Sequence, residues 1–155
     1  MSLFISSLNS GSNGNCYYIG NGREAVLIDA GISCREIENR LERLQVPVEQ
    51  VKALFVSHEH ADHIKGVERF SSRHQVPVYV TPATRREARL KLDKHRSFSF
   101  RAHDPVTVGG LQITAFPKQH DAVDPYRFVV SDGHTRVGVF TDIGTVCDTL
   151  VEYFR

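Results

Sequence analysis

Tryptophan is absent from this 155-residue sequence and methionine occurs once, so its apolar fraction rests on aliphatic side chains, nine phenylalanines and five tyrosines. No apolar stretch approaches the roughly 20 residues a membrane-spanning helix needs, which excludes such a helix and predicts no membrane partner. The opening residues Met1-Ser2-Leu3-Phe4-Ile5 lack a basic segment and a cleavage pattern, so no signal peptide is expected. Cysteine is scarce: Cys16, Cys34 and Cys147 are odd in number and show no C-x-x-C spacing. They read as reduced thiols packed as inert groups, which places the chain in the cytoplasm as an expectation. Charge of one sign is lacking too. Nineteen basic and eighteen acidic residues give a formal net charge of +1, which by itself names no partner.

What remains is a composition suited to one globular domain, and a length near 150 residues buries about 68–70% of the unfolded surface. The first third alternates apolar runs with turns. Leu3–Leu8, Cys16–Ile19 and Ala25–Ile28 read as strands, separated by the turn-rich run at 9–15 and by Gly20-Asn21-Gly22. Ser33 and Glu36 form a capping box, followed by Ile37, Leu41 and Leu44 at helical spacing and by Pro47. Ala53–Val56 is a continuous apolar run, fit for a strand buried on both faces. A helix is expected from Ile64 to about His74, a strand over Val76–Val80, and a helix from Thr81-Pro82 to about Leu92. Beyond Ser97 the pattern returns to strands: 98–100, 106–108, 111–116, 127–130 and 136–140, with a hairpin at Asp132-Gly133. Thr145–Phe154 reads as a helix. The fold class is therefore a layered α/β (α+β) architecture, in one domain spanning 1–155.

Histidine is the residue in excess. Of eight, three fall within six positions in His58-Glu59-His60-Ala61-Asp62-His63, directly after the apolar strand. Imidazole nitrogen and carboxylate oxygen both bind Zn²⁺ at about 2.0–2.2 Å. In an extended segment alternate residues share a side, so His58 and His60 could converge on one ion, leaving Asp62 and His63 for an adjacent position. The four are expected to lie in one loop at the strand end. Two further ligand types stand at strand ends: His120 after Phe116-Pro117-Lys118-Gln119, and Asp142 after Val139-Phe140-Thr141. His74, His95, His103 and His134 read as bystanders, His74 at a helix end where a charged imidazole suits the macrodipole.

These residues resemble the metallo-β-lactamase superfamily, whose sign is His-x-His-x-Asp-His with an upstream aspartate and later single ligands. Asp29, the 58–63 cluster, His120 and Asp142 match four motifs in order, across essentially the whole chain. The resemblance implies an αββα sandwich. It assigns His58, His60 and His120 to one metal and Asp62 and His63 to a second, with Asp142 bridging. Asp29 would orient the ligand loop from behind. Ser10-Gly11-Ser12-Asn13-Gly14-Asn15 is similar to the opening signature of the YycJ/WalJ-like branch, which implies a bacterial cytoplasmic phosphodiesterase or DNA exonuclease. The superfamily pattern continues beyond a fourth motif, so the sequence reads as lacking the C-terminal part of the fold, and the second site as weak or empty. Unpaired sheet edges would then favour homo-oligomers or domain exchange.

The cofactors implied are two divalent ions, zinc first, with manganese or iron accepted by the same donors. The function implied is hydrolysis by metal-activated water, with Asp62 and Asp142 setting the charge balance and taking the proton. Between Arg85 and Arg101, seven cations (Arg85, Arg86, Arg89, Lys91, Lys94, Arg96 and Arg101) face only Glu87 and Asp93, an excess that could meet a phosphodiester or nucleic-acid backbone. The same cations read alone are a solvated face. Two other readings stay open: a hydrolase of esters, thioesters or lactones on the same scaffold, and a catalytically incompetent fragment.

Overall fold

The computed structural model describes residues 3–119 and 121–139. His120, Asp142, Cys147 and the helix expected over 145–154 lie outside them. Strands β1 (Phe4–Asn9), β2 (Cys16–Gly20), β3 (Ala25–Ile28), β4 (Val51–Phe55), β5 (Val78–Tyr79) and β6 (Ser97–Phe98) form one sheet in sequence order. β1, β2 and β3 pair antiparallel, and β3 to β6 pair parallel. Strands β7 (Val106–Val108), β8 (Leu111–Pro117), β9 (Tyr126–Ser131) and β10 (Arg136–Val139) form a second, antiparallel sheet ordered β10-β9-β8-β7.

Burial divides these residues between two cores. On β3, Ala25 and Leu27 face one core while Val26 and Ile28 face the other, as the two-residue repeat of a strand requires. The first core lies between sheet one and the helices α1 (Cys34–Arg43) and α3 (Val67–His74), through Ile37, Leu41, Val67 and Phe70. The second joins the sheets, where Phe128 meets Phe55 and Phe100 edge-on at 5.6 and 5.3 Å. The layered expectation holds: helices, sheet and sheet are all present among the described residues. No helix among them is long and apolar enough to cross a membrane.

Ser33 caps α1 by accepting from Glu36 N, but the Glu36 carboxylate turns to Arg40 rather than back to the cap, so only half the expected box forms. The helix expected from Ile64 to His74 is two: α2 (Ala61–Ile64) and α3. Gly66 separates them because its N–H bonds Ala30 O and a Cβ there would sit 2.2 Å from Ile32 O. Helix α4 (Pro82–Ala88) stops short of Leu92, since Arg89 turns left-handed (φ 54°) and Leu90 drops into the core. Only Val78 and Tyr79 of the run 76–80 pair as strand.

Candidate metal centre

The histidine cluster sits where parallel strands end. β4 stops at Phe55, paired with Ile28 of β3, so Asp29 and Ser57 leave the sheet side by side on one edge. Asp29 takes a left-handed backbone (φ 64°) there, unusual for a residue with a side chain. Its buried carboxylate collects three hydrogen bonds. Ser57 N donates to Oδ1 at 2.7 Å, and Ser57 Oγ and His63 Nδ1 each donate to Oδ2 at 2.6 Å. Asp29 thus lies behind Ser57 and His63.

This network selects which nitrogen each ring can offer. The Ser57 hydroxyl spends its proton on Asp29, so it accepts from His58 Nδ1 at 2.9 Å. A neutral imidazole that donates through one nitrogen carries its lone pair on the other. His58 and His63 therefore each present Nε2. His60 does the opposite: its Nε2 donates to Asp121 O at 2.6 Å, which leaves Nδ1 as its lone-pair atom. The ring centroids of His58 lie 4.6 Å from His60 and 3.9 Å from His63, and His58 and His63 are fully buried. Asp62 Oδ2 is 3.6 Å from His63 Nε2. Imidazoles from His58, His60 and His63, packed ring against ring, and the Asp62 carboxylate beside them are nitrogen and oxygen donors of the kind a borderline divalent cation takes.

The structure thus brings His58, His60, Asp62 and His63 together. The expectation of a single loop needs correction: Asp62 and His63 occupy the helical turn α2, whose N-cap is His60. Helical winding, rather than extended alternation, turns His63 back onto Asp29. His120 and Asp142 fall outside the described residues. The neighbours of position 120 are stitched to the cluster, however: besides Asp121 O on His60, Glu59 Oε2 accepts from Val123 N at 2.9 Å and Tyr126 N donates to Ser57 O at 2.9 Å.

Three residues that support the cluster carried no such signal in the sequence. Ser57 relays Asp29 to His58. Asn15, from the glycine-rich turn, donates its backbone N–H to Asp62 O at 2.7 Å, and its Nδ2 lies 3.2 Å from Asp62 Oδ2 and 3.3 Å from His63 Nε2. Gly31 packs so closely that a Cβ would lie 1.7 Å from Asp62 O. Through Asn15, the turn at 10–15 braces the segment that carries Asp62 and His63. Of the seven cations expected to form a patch, Arg85 is held by Ser97 Oγ and Leu92 O, and Arg96 by Gln75 Oε1 and Asp93; the other five are exposed.

Comparison with known proteins adds a lineage to this geometry. The profile of the family described as Metallo-beta-lactamase superfamily matches residues 10–153. The chain is 30% identical over 153 residues to a protein named Exodeoxyribonuclease YycJ from Bacillus anthracis, covering 97% of this chain and 58% of that one. It is 32% identical over 152 residues to Exodeoxyribonuclease WalJ from Streptococcus pneumoniae, covering 94% and 56%. The chain therefore spans little more than half the length of these curated relatives. Among solved structures, the metallo-beta-lactamase fold protein YhfI from Bacillus subtilis superposes with a TM-score of 0.73 at 22% identity, over 89% of this chain and 62% of that one, a likeness of fold.

Proposed function

Because the chain belongs to the metallo-beta-lactamase superfamily, we propose that it carries the metal-binding half of a phosphodiesterase or nuclease site built on His58, His60, Asp62 and His63. His120 and Asp142 would complete the set in this reading: His58, His60 and His120 would hold one ion, and Asp62, His63 and Asp142 a second. Zinc suits these nitrogen and oxygen donors, and manganese and iron are the alternatives. When bound, such ions supply Lewis acidity, polarising a phosphoryl oxygen and lowering the pKa of water.

The observation that carries the proposal is the shared hydrogen-bond system of Asp29 and Ser57. It holds two buried imidazoles, 3.9 Å apart between centroids, by their Nδ1 atoms, which leaves both Nε2 atoms to act as lone-pair donors. The chain's own residues then do three things. Asp29 keeps His58 and His63 in the ligating tautomer. Asn15 fixes the backbone and carboxylate of Asp62. Asp62, 30% exposed at its side chain, is the carboxylate open to solvent and able to take a proton from water. The nuclease names of the relatives favour phosphodiesters as substrate class, and the five exposed cations between Arg86 and Arg101 suit a phosphate backbone.

The test begins with metal content. Replacing His58 and His60 together by alanine should remove at least one bound ion per chain, measured by elemental analysis; unchanged stoichiometry refutes the assignment. Metal-loaded protein should then cleave a bis-aryl phosphodiester and an oligodeoxynucleotide in preference to a thioester or a lactone. Preference for either of the latter would establish the carboxyl-ester reading instead.

A further inference from the structure

A second set of metal-type donors lies away from the histidine cluster, on the helices that cover sheet one. Cys34 opens α1 and Glu38 follows one turn later, so their side chains share a face of the helix. His74 closes α3 and reaches the same point. The Glu38 Oε2 atom is the hub: Cys34 Sγ lies 3.7 Å from it and His74 Nε2 2.6 Å. One donor atom from each of the three residues falls within 4.8 Å of the others. The His74 ring is held by Phe70, 4.8 Å between centroids, and Cys34 is buried.

We propose that Cys34, Glu38 and His74 form a separate site for a single borderline-soft divalent transition metal, of which Zn²⁺ is the type, clamping α1 to α3. Thiolate, imidazole and carboxylate bind zinc at about 2.3, 2.0–2.1 and 2.0–2.2 Å, which puts neighbouring donors in a tetrahedral shell roughly 3.5 Å apart. The Sγ-to-Oε2 distance already has that value. The His74-to-Glu38 contact must open from a hydrogen bond by about 1 Å. Water fills the fourth position, because Glu38 and His74 keep 24% and 18% of their side-chain surface and line an open cleft of about 530 Å³. Glu42 and Glu49 line the same cleft, so its charge draws a cation in.

Binding releases the thiol proton, and sulfur bonds the ion in its place. Burial, and then the Glu38 charge, hold the Cys34 thiol above its ordinary range, while Arg73 and Arg69 oppose them. The free thiol is therefore protonated at neutral pH, and metal uptake there releases close to one proton per ion from sulfur. Arg73 Nε now contacts Glu38 Oε2 at 3.0 Å but is 64% exposed, so it can swing out as the ion enters. The ion would have a structural consequence for the first centre, because α1 begins immediately after the Gly31–Ser33 turn that packs on Asp62 and Gly66.

Cobalt(II) separates this site from the histidine cluster, whose donors are only nitrogen and oxygen. Titrating the metal-free chain with Co²⁺ should produce a thiolate-to-cobalt charge-transfer band in the near ultraviolet that saturates at one ion per chain. Cys34→Ser should abolish the band and leave the visible d–d bands of the histidine cluster. Cys147→Ser should keep it. His74→Gln, at the partly exposed end of α3, should weaken the saturation of the band at least tenfold. No band at excess Co²⁺ in the unmutated chain, a band surviving Cys34→Ser, or a titration unchanged by His74→Gln would each overturn the proposal. None of these outcomes bears on the phosphodiesterase reading.

Discussion

Replacing Asp29 by asparagine removes a buried charge and, with less disruption of shape than any other change, reverses the proton pattern of the candidate centre. The carboxylate accepts three hydrogen bonds and donates none. In the variant the amide oxygen can stay opposite Ser57 N, which places the NH₂ group where Oδ2 stood. That group must donate both to Ser57 Oγ and to His63 Nδ1, so the His63 proton moves to Nε2. The Ser57 hydroxyl, now accepting from the amide, turns its own proton toward His58 Nδ1, and His58 switches as well. Flipping the amide spares the rings but sets two donors against each other at Ser57 N. Either arrangement costs about 1–3 kcal/mol per mispaired buried group when the metal tautomer is restored. That corresponds to roughly ten- to hundredfold weaker metal binding, in line with losses on changing residues that orient ligands. Long-range ¹H–¹⁵N correlation on the metal-free protein reads the tautomers directly, and competition with a chromophoric chelator gives the affinity. A folded Asp29→Asn variant that keeps Nδ1–H on both rings and binds metal as before would refute the reasoning.

Gly31→Ala forces a Cβ against Asp62 O, 1.7 Å away, so it should cost more than about 3 kcal/mol in urea unfolding, the upper range for point changes; a loss below 1 kcal/mol would mean the ligand loop can move aside. Glu24 ties the β2–β3 hairpin to the β7–β8 turn, its Oε1 accepting from Asn21 Nδ2 at 2.8 Å and Gly110 N at 2.6 Å, and these bonds hold its carboxyl below the ordinary value of 4.5. A lowered folded-state pKa gives stability that is full above 4.5 and is lost as pH falls through the folded value. Glu24→Gln should therefore lower stability at pH 7 by at most about 1 kcal/mol after solvent screening, with the difference fading as pH falls below 4.5 and through the folded value; a pH-independent difference would refute the link. Phe128→Ala, which empties the contact between sheets, should cost about 3–5 kcal/mol and leave the metal stoichiometry of the folded protein unchanged.

Local chemistry wrote much of this fold into the sequence. The apolar strand at 25–28, the Ser33 cap and the Thr81-Pro82 start depend on residues a few positions apart, and all three form. The boundaries that differ are set by distant groups. Gly66 breaks the helix after Ile64 because Ala30 and Ile32 press on it, contacts that residues 64–74 do not themselves specify. Arg89 ends α4 in a left-handed turn so that Leu90 can reach the core, against the helical preference of the segment. At the candidate site, His58, His60, Asp62 and His63 were legible because four metal-type donors crowd into six positions. Asn15 was not: it acts on Asp62 across 47 residues, and in sequence it is one polar residue in a turn full of them.

The register of β3 against β4 couples these two levels. Ile28 opposite Phe55 buries both side chains between the sheets, and the same pairing sets Asp29 beside Ser57. A slip of one residue would turn Ile28 from the core between the sheets to the one under the helices, and carry the Asp29 carboxylate away from Ser57 N and His63 together. The apolar packing that fixes the register therefore also fixes which imidazole nitrogens stay deprotonated. This explains how a carboxylate can be fully buried in a left-handed backbone: Ser57 and His63 supply three donors, and each is delivered by an element whose position the core has already set.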